Sequence, residues 1–472
     1  MQTGRQYRPS HARAVLVLGL MSLILASCAA SASPSAPASG ASVSNATPVA
    51  SAAPASAHPT DSPTPRSAGP EVAAKAWLLV GRRGDSDLRL ILSTTGEVAL
   101  GVPSGSPRSN WDRVVTATPD GATTVVRDVM VQPGLGGPQV RIEGHWRLPT
   151  VGLDPLPTGR SLDGSTIVLV AGGYDPGARH SRFAIVEHHA LGSSSSVGDA
   201  PLRLVRVIEL PGAFEYDALS PDGRILYVVE HLDAVAGGRY QVRAIDVATG
   251  VMRDGVIVDK GNPEERMAGS PIAQVRRPGG LVLTLYRGPE RPFIHALNST
   301  DAWAICIDLP SGTAGDGAAS LDWGLAPSSD GASAFAVNAS IGLAVEIDLN
   351  GLAVRRSASI RQSAAGSIVL AKFGHGDQGP VGRRVVTSPD GALLFAAGRD
   401  GVAVIRTADL VLIRHDLAGM PIDALGVTPN GTALFALVRG TGQIVGLEAA
   451  TGRRLVAVPG SGFDRLLAVT PW

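Results

Sequence analysis

The folded part of the chain alternates between short apolar runs and polar turns that contain glycine. Ile225–Val229, Leu393–Ala397 and Ala433–Leu437 are uninterrupted apolar runs, each closely preceded by a turn of the type Ser/Thr-Pro-Asp/Asn-Gly. Runs of this kind are typical of strands that are buried on both faces. The pattern therefore predicts short strands packed between neighbouring sheets, in an all-β fold.

The turns recur at regular intervals. Their final glycines lie at 121, 164, 223, 280, 331, 391 and 431, so that successive copies are 40 to 60 residues apart. A second turn follows a later strand in several copies, as in Asp246–Gly250, where glycine and a side-chain oxygen suit a tight hairpin. A unit of this length holds four antiparallel strands, which is the size of one blade of a β-propeller.

The two ends of this region complement each other. The last residues, Leu466–Trp472, begin another copy and stop before its second half, whereas Ala76–Gly81 is a strand with no such turn before it. The seven turns and this shared unit favour eight blades, but the unit around Val140–Trp146 is weak, so seven is the alternative. We expect a single β-propeller of seven or eight four-stranded blades, closed by pairing of the N- and C-terminal strands.

The two turns of the repeat resemble those of a known family. Ser220–Gly223 together with Asp246–Gly250 is similar to the repeat of the YncE-like, or YVTN, family of extracytoplasmic β-propellers. Glu215–Gly223 and Pro292–Leu297 also resemble segments of secreted propeller lipoproteins from high-GC, actinobacterial-type genomes, whose activity is generally unassigned. The resemblance implies a propeller fold, and it implies no particular activity.

Residues 1–27 have the features of an export signal. Arg5, Arg8 and Arg13 form a basic start, and Ala14–Leu25 is an apolar run that is too short to span a bilayer comfortably. Leu25–Cys28 resembles the bacterial lipobox, which implies cleavage before Cys28 and lipidation of its thiol. The alternative is an ordinary secretory signal with a chance cysteine.

Residues 28–70 are almost entirely Ala, Ser, Pro, Thr and Gly. Such a segment cannot bury enough apolar surface to offset its chain entropy, so we expect a disordered tether. The propeller is expected to occupy residues 71–472. The predicted location is extracytoplasmic, with attachment to the cell membrane through the lipid on Cys28. The membrane is therefore one predicted partner, and an envelope protein or a small polar ligand is the other.

Composition argues against several classes of function. Lys plus Arg and Asp plus Glu are equal at 41 each, and aromatic residues are only 4% of the chain. Nucleic-acid binding needs a basic surface and usually stacking aromatics, so no nucleic-acid partner is expected. The sequence also lacks Gly-x-Ser-x-Gly and His-Glu-x-x-His motifs, which removes the usual hydrolase and zinc-protease signatures. We predict no metal site and no cofactor.

The densest group of polar residues lies in the middle of the chain. Glu215–Leu219 is expected to be an innermost strand, which in a propeller lines the central channel. Carboxylate, imidazole and guanidinium groups near the channel mouth could bind a small polar ligand, although a channel is also polar for structural reasons. The candidate ligand-binding residues are Asp217, His231, Tyr286, Arg287 and His295.

Two classes of function follow from these features. The first is a membrane-anchored propeller that binds or scaffolds an unidentified ligand or envelope partner. The alternative is a lactonase-like hydrolase or lyase, which requires Asp217, His231 and His295 to converge on one substrate position. Cys306 lies in an alternating strand pattern, which predicts a small buried hydrophobe rather than a reactive thiol.

Overall fold

A computed structural model gives the architecture of the protein. It describes residues 75–470 except for 83–84, 86, 104, 108–110, 135–136, 150–151, 173–174, 176, 189–201, 262–266, 311–321, 361–381 and 461. The predicted signal, tether and lipidation site at Cys28 lie outside these residues. Within them every regular element is a β-strand, and no helix is present that could cross a membrane.

Thirty-two strands form eight antiparallel sheets of four strands each, which confirms the eight-bladed β-propeller. We number the blades along the chain and give the strands of each blade from the channel outward. The strands of blades 1 to 4 are β32 (Arg465–Thr470), β1 (Trp77–Gly81), β2 (Asp87–Leu92) and β3 (Val98–Pro103); β4 (Ser106–Pro107), β5 (Arg113–Asp120), β6 (Thr123–Gly134) and β7 (Gly137–Leu148); β8 (Leu153–Arg160), β9 (Thr166–Ala171), β10 (His180–His188) and β11 (Leu202–Pro211); and β12 (Phe214–Leu219), β13 (Ile225–His231), β14 (Arg239–Asp246) and β15 (Met267–Ala268).

The second half of the ring repeats this order. The strands of blades 5 to 8 are β16 (Ser270–Arg276), β17 (Leu281–Arg287), β18 (Pro292–Asn298) and β19 (Trp303–Asp308); β20 (Gly324–Pro327), β21 (Ser333–Asn338), β22 (Leu343–Asp348) and β23 (Ala353–Ser359); β24 (Val385–Thr387), β25 (Leu393–Gly398), β26 (Gly401–Arg406) and β27 (Val411–Asp416); and β28 (Ile422–Val427), β29 (Ala433–Val438), β30 (Ile444–Glu448) and β31 (Arg454–Val458).

The ring closes where the first and last strands of the propeller meet. The C-terminal strand β32 is the innermost strand of blade 1 and pairs antiparallel with β1, from Trp77 opposite Thr470 to Gly81 opposite Arg465. Leu466 is buried in the apolar layer between blades 8 and 1. This is the closure that the truncated final repeat predicts.

The repeated turns have one geometry for a physical reason. In Ser220–Gly223 the serine hydroxyl donates to Asp222 (2.7 Å) and accepts from the amide of Ile225 (2.9 Å), while Gly223 has φ 71°. Glycine adopts this left-handed conformation without steric cost, so the sequence Ser-Pro-Asp-Gly ends one strand and starts the next. Turns at 164, 223, 280, 331, 391 and 431 each join the innermost strand of a blade to its second strand.

The turn at Gly121 differs from this register. It joins β5 to β6, the second and third strands of blade 2, rather than the first and second. The innermost strand of this blade is only Ser106–Pro107, whereas β6 and β7 form a long hairpin. The number of blades predicted from the glycines is correct, but Thr118–Gly121 has a different place within its blade.

The two faces of the ring carry different connections. On one face, which we call the turn face, lie the turns between first and second strands. On the opposite face, which we call the mouth face, the second strands end and the innermost strands of the same blades begin. Backbone hydrogen bonds there join His231 to Ala213 (2.9 Å) and Arg439 to Pro421 (2.8 Å). Polar side chains at these ends therefore surround one mouth of the central channel.

Candidate functional site

The predicted residue Asp217 lies in the innermost strand of blade 4, as expected, but it is turned into protein. It occupies a β-bulge in β12 and is only 4% exposed. Gln274 of blade 5 donates to its carbonyl (3.1 Å) and lies 3.4 Å from Oδ1, while Oδ2 has no hydrogen-bond partner. Burial, together with the nearby Glu215 charge, raises the pKa of Asp217 to about 7, although Arg276 opposes both effects.

A row of polar side chains continues from Gln274 across blade 5. Gln274 donates to Thr284 Oγ1 (3.0 Å), and Thr284 is paired in register with His295, which is in turn paired with Cys306. His295 is fully buried, and its Nδ1 lies 3.8 Å from the Cys306 sulfur. Burial lowers the pKa of His295 to about 4, which the Asp259 charge opposes, so the ring is neutral at physiological pH.

The other predicted residues divide between this interior and the mouth face. Tyr286 is buried and stacks between Tyr240 and Phe293, with ring centroids 5.0 and 5.2 Å apart. His231 ends β13 on the mouth face, where its Nε2 lies 3.3 Å from a Glu215 carboxylate oxygen. Arg287 ends β17 on the same face and is half-buried.

The structure therefore does not bring the five predicted residues together at one mouth. Asp217, Tyr286 and His295 lie in the layer between blades 4 and 5, closed to solvent. His231 and Arg287 instead end their strands on the mouth face, where both residues are partly buried. Cys306 was predicted to be a small buried hydrophobe. In the structure it is half-buried and packs against this layer. Whether any of the five binds a ligand stays a prediction.

A different part of the mouth face carries an unusual chain path. Gly382 forms a bridge with Leu466 of β32, and Arg383 forms one with Leu425 of β28, whose amide donates to the Arg383 carbonyl (2.7 Å). β28 and β32 already pair with β29 and β1 on their outer edges. Their remaining edges face the channel. Residues 382–383, which we call the channel segment, therefore run inside the ring.

Glycine is required at the first position of the channel segment. Gly382 has φ 129°, and a Cβ there would lie 2.2 Å from the Leu466 carbonyl oxygen and 2.7 Å from the Ala424 side chain. Side chains do not fit at such distances, and this backbone conformation is rare for any other residue. The absence of a side chain thus lets the segment lie directly against two innermost strands.

Next to the channel segment, an ion-pair cluster joins blades 6, 7 and 8 on the mouth face. Asp322, which is 4% exposed, accepts hydrogen bonds from Arg384 (3.0 Å), Arg399 (2.8 Å) and Arg439 (3.3 Å). Arg439 also binds Asp423 (2.6 Å). Burial alone would raise the pKa of Asp322, but Arg384 and the donors around it hold that pKa below its ordinary value.

Arg383 is the member of this region without a partner. Its side chain is exposed, and no hydrogen bond or ion pair to it occurs within the described part of the chain. Desolvation nevertheless lowers the pKa of its guanidinium. The Arg383 side chain is therefore reached by solvent and is still partly surrounded by protein, as in a surface concavity. This agrees with the position of its backbone in the channel.

A second concavity lies on the turn face between blades 3 and 4. Its volume is about 510 Å³, and charged side chains line it. They pair with one another, as Arg203 does with Glu187 (3.5 Å) and Arg224 with Asp222 (3.5 Å). Asp246, which also lines the groove, pairs with Arg253 (3.7 Å), so the charged side chains described there are paired.

Within the described ranges, no three or more His, Cys, Asp and Glu side chains are grouped in a way that could hold a metal ion. The arginine and carboxylate groups of the mouth face are suited to electrostatic and hydrogen-bonding recognition. The sequence interpretation missed the channel segment. The only local signals were the adjacent Arg383 and Arg384 after a glycine, which no periodic pattern connects to the channel.

Comparisons with known proteins add little beyond the architecture. No family model matches the chain, and no curated protein matches it. Among solved structures, the chain is similar to apo AztD from Citrobacter koseri, with 11% identity, a TM-score of 0.47, and coverage of 84% of this chain and 97% of that one.

Two further structures are similar in the same way. A proposed 6-phosphogluconolactonase from Bacteroides fragilis has 17% identity and a TM-score of 0.40, with 77% of this chain and 99% of that chain covered. Sqt1 from Chaetomium thermophilum has 15% identity and a TM-score of 0.44, with 75% and 85% covered. At such values the likenesses carry no argument about function.

Proposed function

We propose that the protein is a lipid-anchored, extracytoplasmic β-propeller that acts as a binding or scaffold module and presents its mouth face to its partner. The anchor rests on the lipobox-like Leu25–Cys28 and the tether that follows it. The binding role rests on one observation: arginine and carboxylate side chains from blades 6, 7 and 8 are held by one another at the channel mouth. Groups that the fold itself holds in place bind a partner without paying to order them.

The anchor is tested by metabolic labelling with an alkyne analogue of palmitate in a bacterial host. The chain has two cysteines, Cys28 and Cys306, so each serves as the control for the other. The wild type and Cys306→Ala should be labelled and sediment with membranes, whereas Cys28→Ala should be unlabelled. Equal labelling of all three proteins, or of none, would refute the anchor.

The binding role is tested by photo-crosslinking in the same cells. Thr441 and Thr451 are both exposed threonines of blade 8, but Thr441 follows β29 on the mouth face and Thr451 follows β30 on the turn face. A photoreactive residue at Thr441 should give discrete adducts that the same residue at Thr451 does not give. Equal adducts from both positions, or none from Thr441, would contradict presentation of the mouth face.

The hydrolase or lyase alternative lacks the convergence of Asp217, His231 and His295 that it was expected to need, because Asp217 and His295 are buried between blades 4 and 5. It has one other observation in its favour. His231 and Glu215 form the imidazole–carboxylate pair at the mouth, with 3.3 Å between Nε2 and Oε2, and such a pair can move a proton. If the protein opens lactones, His231→Ala should abolish hydrolysis of a chromogenic lactone, and His415→Ala, on the outermost strand of blade 7, should not. A wild type without activity would remove this alternative.

A further inference from the structure

We infer that the channel mouth beside blades 7, 8 and 1 is a binding site for a small anion, a phosphate or carboxylate group, with Arg383 as the residue that contacts it. This inference deepens the proposed function, on which it rests, by naming the chemical class of the ligand.

The charge of this part of the mouth face favours an anion. Arg384, Arg399 and Arg439 lie together around the carboxylates Asp322 and Asp423. These five residues have a formal excess of one positive charge, and Arg383, which precedes Arg384 in the chain, adds a second. Arginine stays protonated at physiological pH even when burial lowers its pKa, so the excess is permanent.

The arginines differ in whether a carboxylate already binds them. Arg384, Arg399 and Arg439 are occupied by Asp322, and Arg384 and Arg439 also approach Asp423 at 3.7 and 2.6 Å. Their side chains are 17 to 20% exposed, so the cluster is fixed by the protein itself. Among the described residues, the Arg383 side chain has no hydrogen-bond or ion-pair partner, and it remains accessible to solvent.

Arg383 lies in the channel. Its backbone lies against the channel-facing edge of β28, and the neighbouring Gly382 lies against β32. A ligand bound there would sit inside the ring, partly shielded from water, where the attraction between a guanidinium and an anion is stronger than at an open surface. The planar guanidinium donates two parallel hydrogen bonds, which match a carboxylate or a phosphate.

Phosphate-bearing and carboxylate-bearing ligands share the geometry that Arg383 recognises, so the source of the anion is decided by experiment. The buried row from Asp217 to Cys306 offers no comparable site, because solvent does not reach His295.

The test uses the full mature chain in mild detergent and isothermal titration calorimetry with inorganic phosphate, citrate and uncharged glucose. We expect phosphate or citrate to bind and glucose not to bind. Arg383→Gln should weaken the binding at least about tenfold, which is the usual effect of losing a hydrogen bond to a charged group. The matched control Arg454→Gln, an exposed arginine on the outermost strand of blade 8, should leave the affinity within about twofold.

Two results would overturn the inference: neither anion binds the wild type, or Arg383→Gln binds as tightly as the wild type. If Arg383→Gln does not fold, the wild type still decides, because the affinity for the anion must fall as sodium chloride is raised. An affinity that salt does not change would also overturn it. Adducts from Thr441 that persist without anion binding would refute the ligand class and leave the binding role standing.

Discussion

Closure of the ring by the last strand leads to the sharpest test of the fold. Deletion of residues 465–472 removes β32, the innermost strand of blade 1, whereas deletion of 471–472 alone leaves that strand complete. The longer deletion takes away the pairing with β1 and the packing against blade 8. It exposes the edge of β1, so the damage is not confined to the missing residues.

The structure allows the size of this effect to be worked out. Leu466 is 1% exposed, and its burial contributes about 1.5–3 kcal/mol. Leu467, Ala468 and Val469 pack partly against the cores on either side of the strand, and together they add about 2–3 kcal/mol. The ladder of five residue pairs is lost as well. The total of about 5 kcal/mol or more is comparable with the whole stability of many domains, about 5–15 kcal/mol.

Thermal unfolding followed by circular dichroism measures the outcome. We expect the chain without 465–472 to unfold at a much lower temperature, or to have no cooperative transition, and the chain without 471–472 to resemble the wild type. A point variant, Leu466→Ala, should lose about 2–5 kcal/mol in urea. An unchanged transition in the longer deletion would refute closure through β32.

Three further predictions concern stability. Gly382→Ala should cost about 1–3 kcal/mol in urea unfolding, because its Cβ would meet the Leu466 carbonyl at 2.2 Å; wild-type stability would show that the channel segment is not packed there. Asp322→Asn should cost about 3–5 kcal/mol by leaving buried arginines unpaired, whereas Asp409→Asn in an exposed pair should cost at most about 1 kcal/mol; equal losses would contradict the burial difference. Because the pKa of Asp217 is raised from 3.8 to about 7 on folding, the native state binds the extra proton, so stability should fall as pH rises through that window; a slope unchanged in Asp217→Asn would refute the shift.

The fold could be predicted from the sequence because its determinants are local and repeated. Each Ser-Pro-Asp-Gly turn closes through its own side chains, as Ser388 does with Asp390 and with the amide of Leu393. A local motif looks the same wherever it occurs, so counting it counts the blades. Blade 2 shows the limit of this reasoning, since the turn at Gly121 is the same motif between a different pair of strands.

The polar residues could be found from the sequence, but their surroundings could not. His295 alternates with Phe293 and Leu297, which places all three on the strand face that packs against blade 4. That alternation is visible in the sequence and indicates a buried histidine, whereas His295 was predicted to bind a ligand. The position of Asp217 was harder to predict, because the bulge that turns its carboxyl inward depends on pairing with β13.

The mouth-face site arises where the chain departs from its repeat. A four-stranded blade uses its apolar positions to pack against its two neighbours, and this requirement leaves little freedom within the strands. Residues 382–383, which lie just before β24, belong to no blade, and they contact β32 of blade 1 and β28 of blade 8. A charged side chain on these residues lies at the channel and is not part of the core of any blade. Arg383 can therefore change without changing the ring, which is the property that a ligand-specifying residue needs.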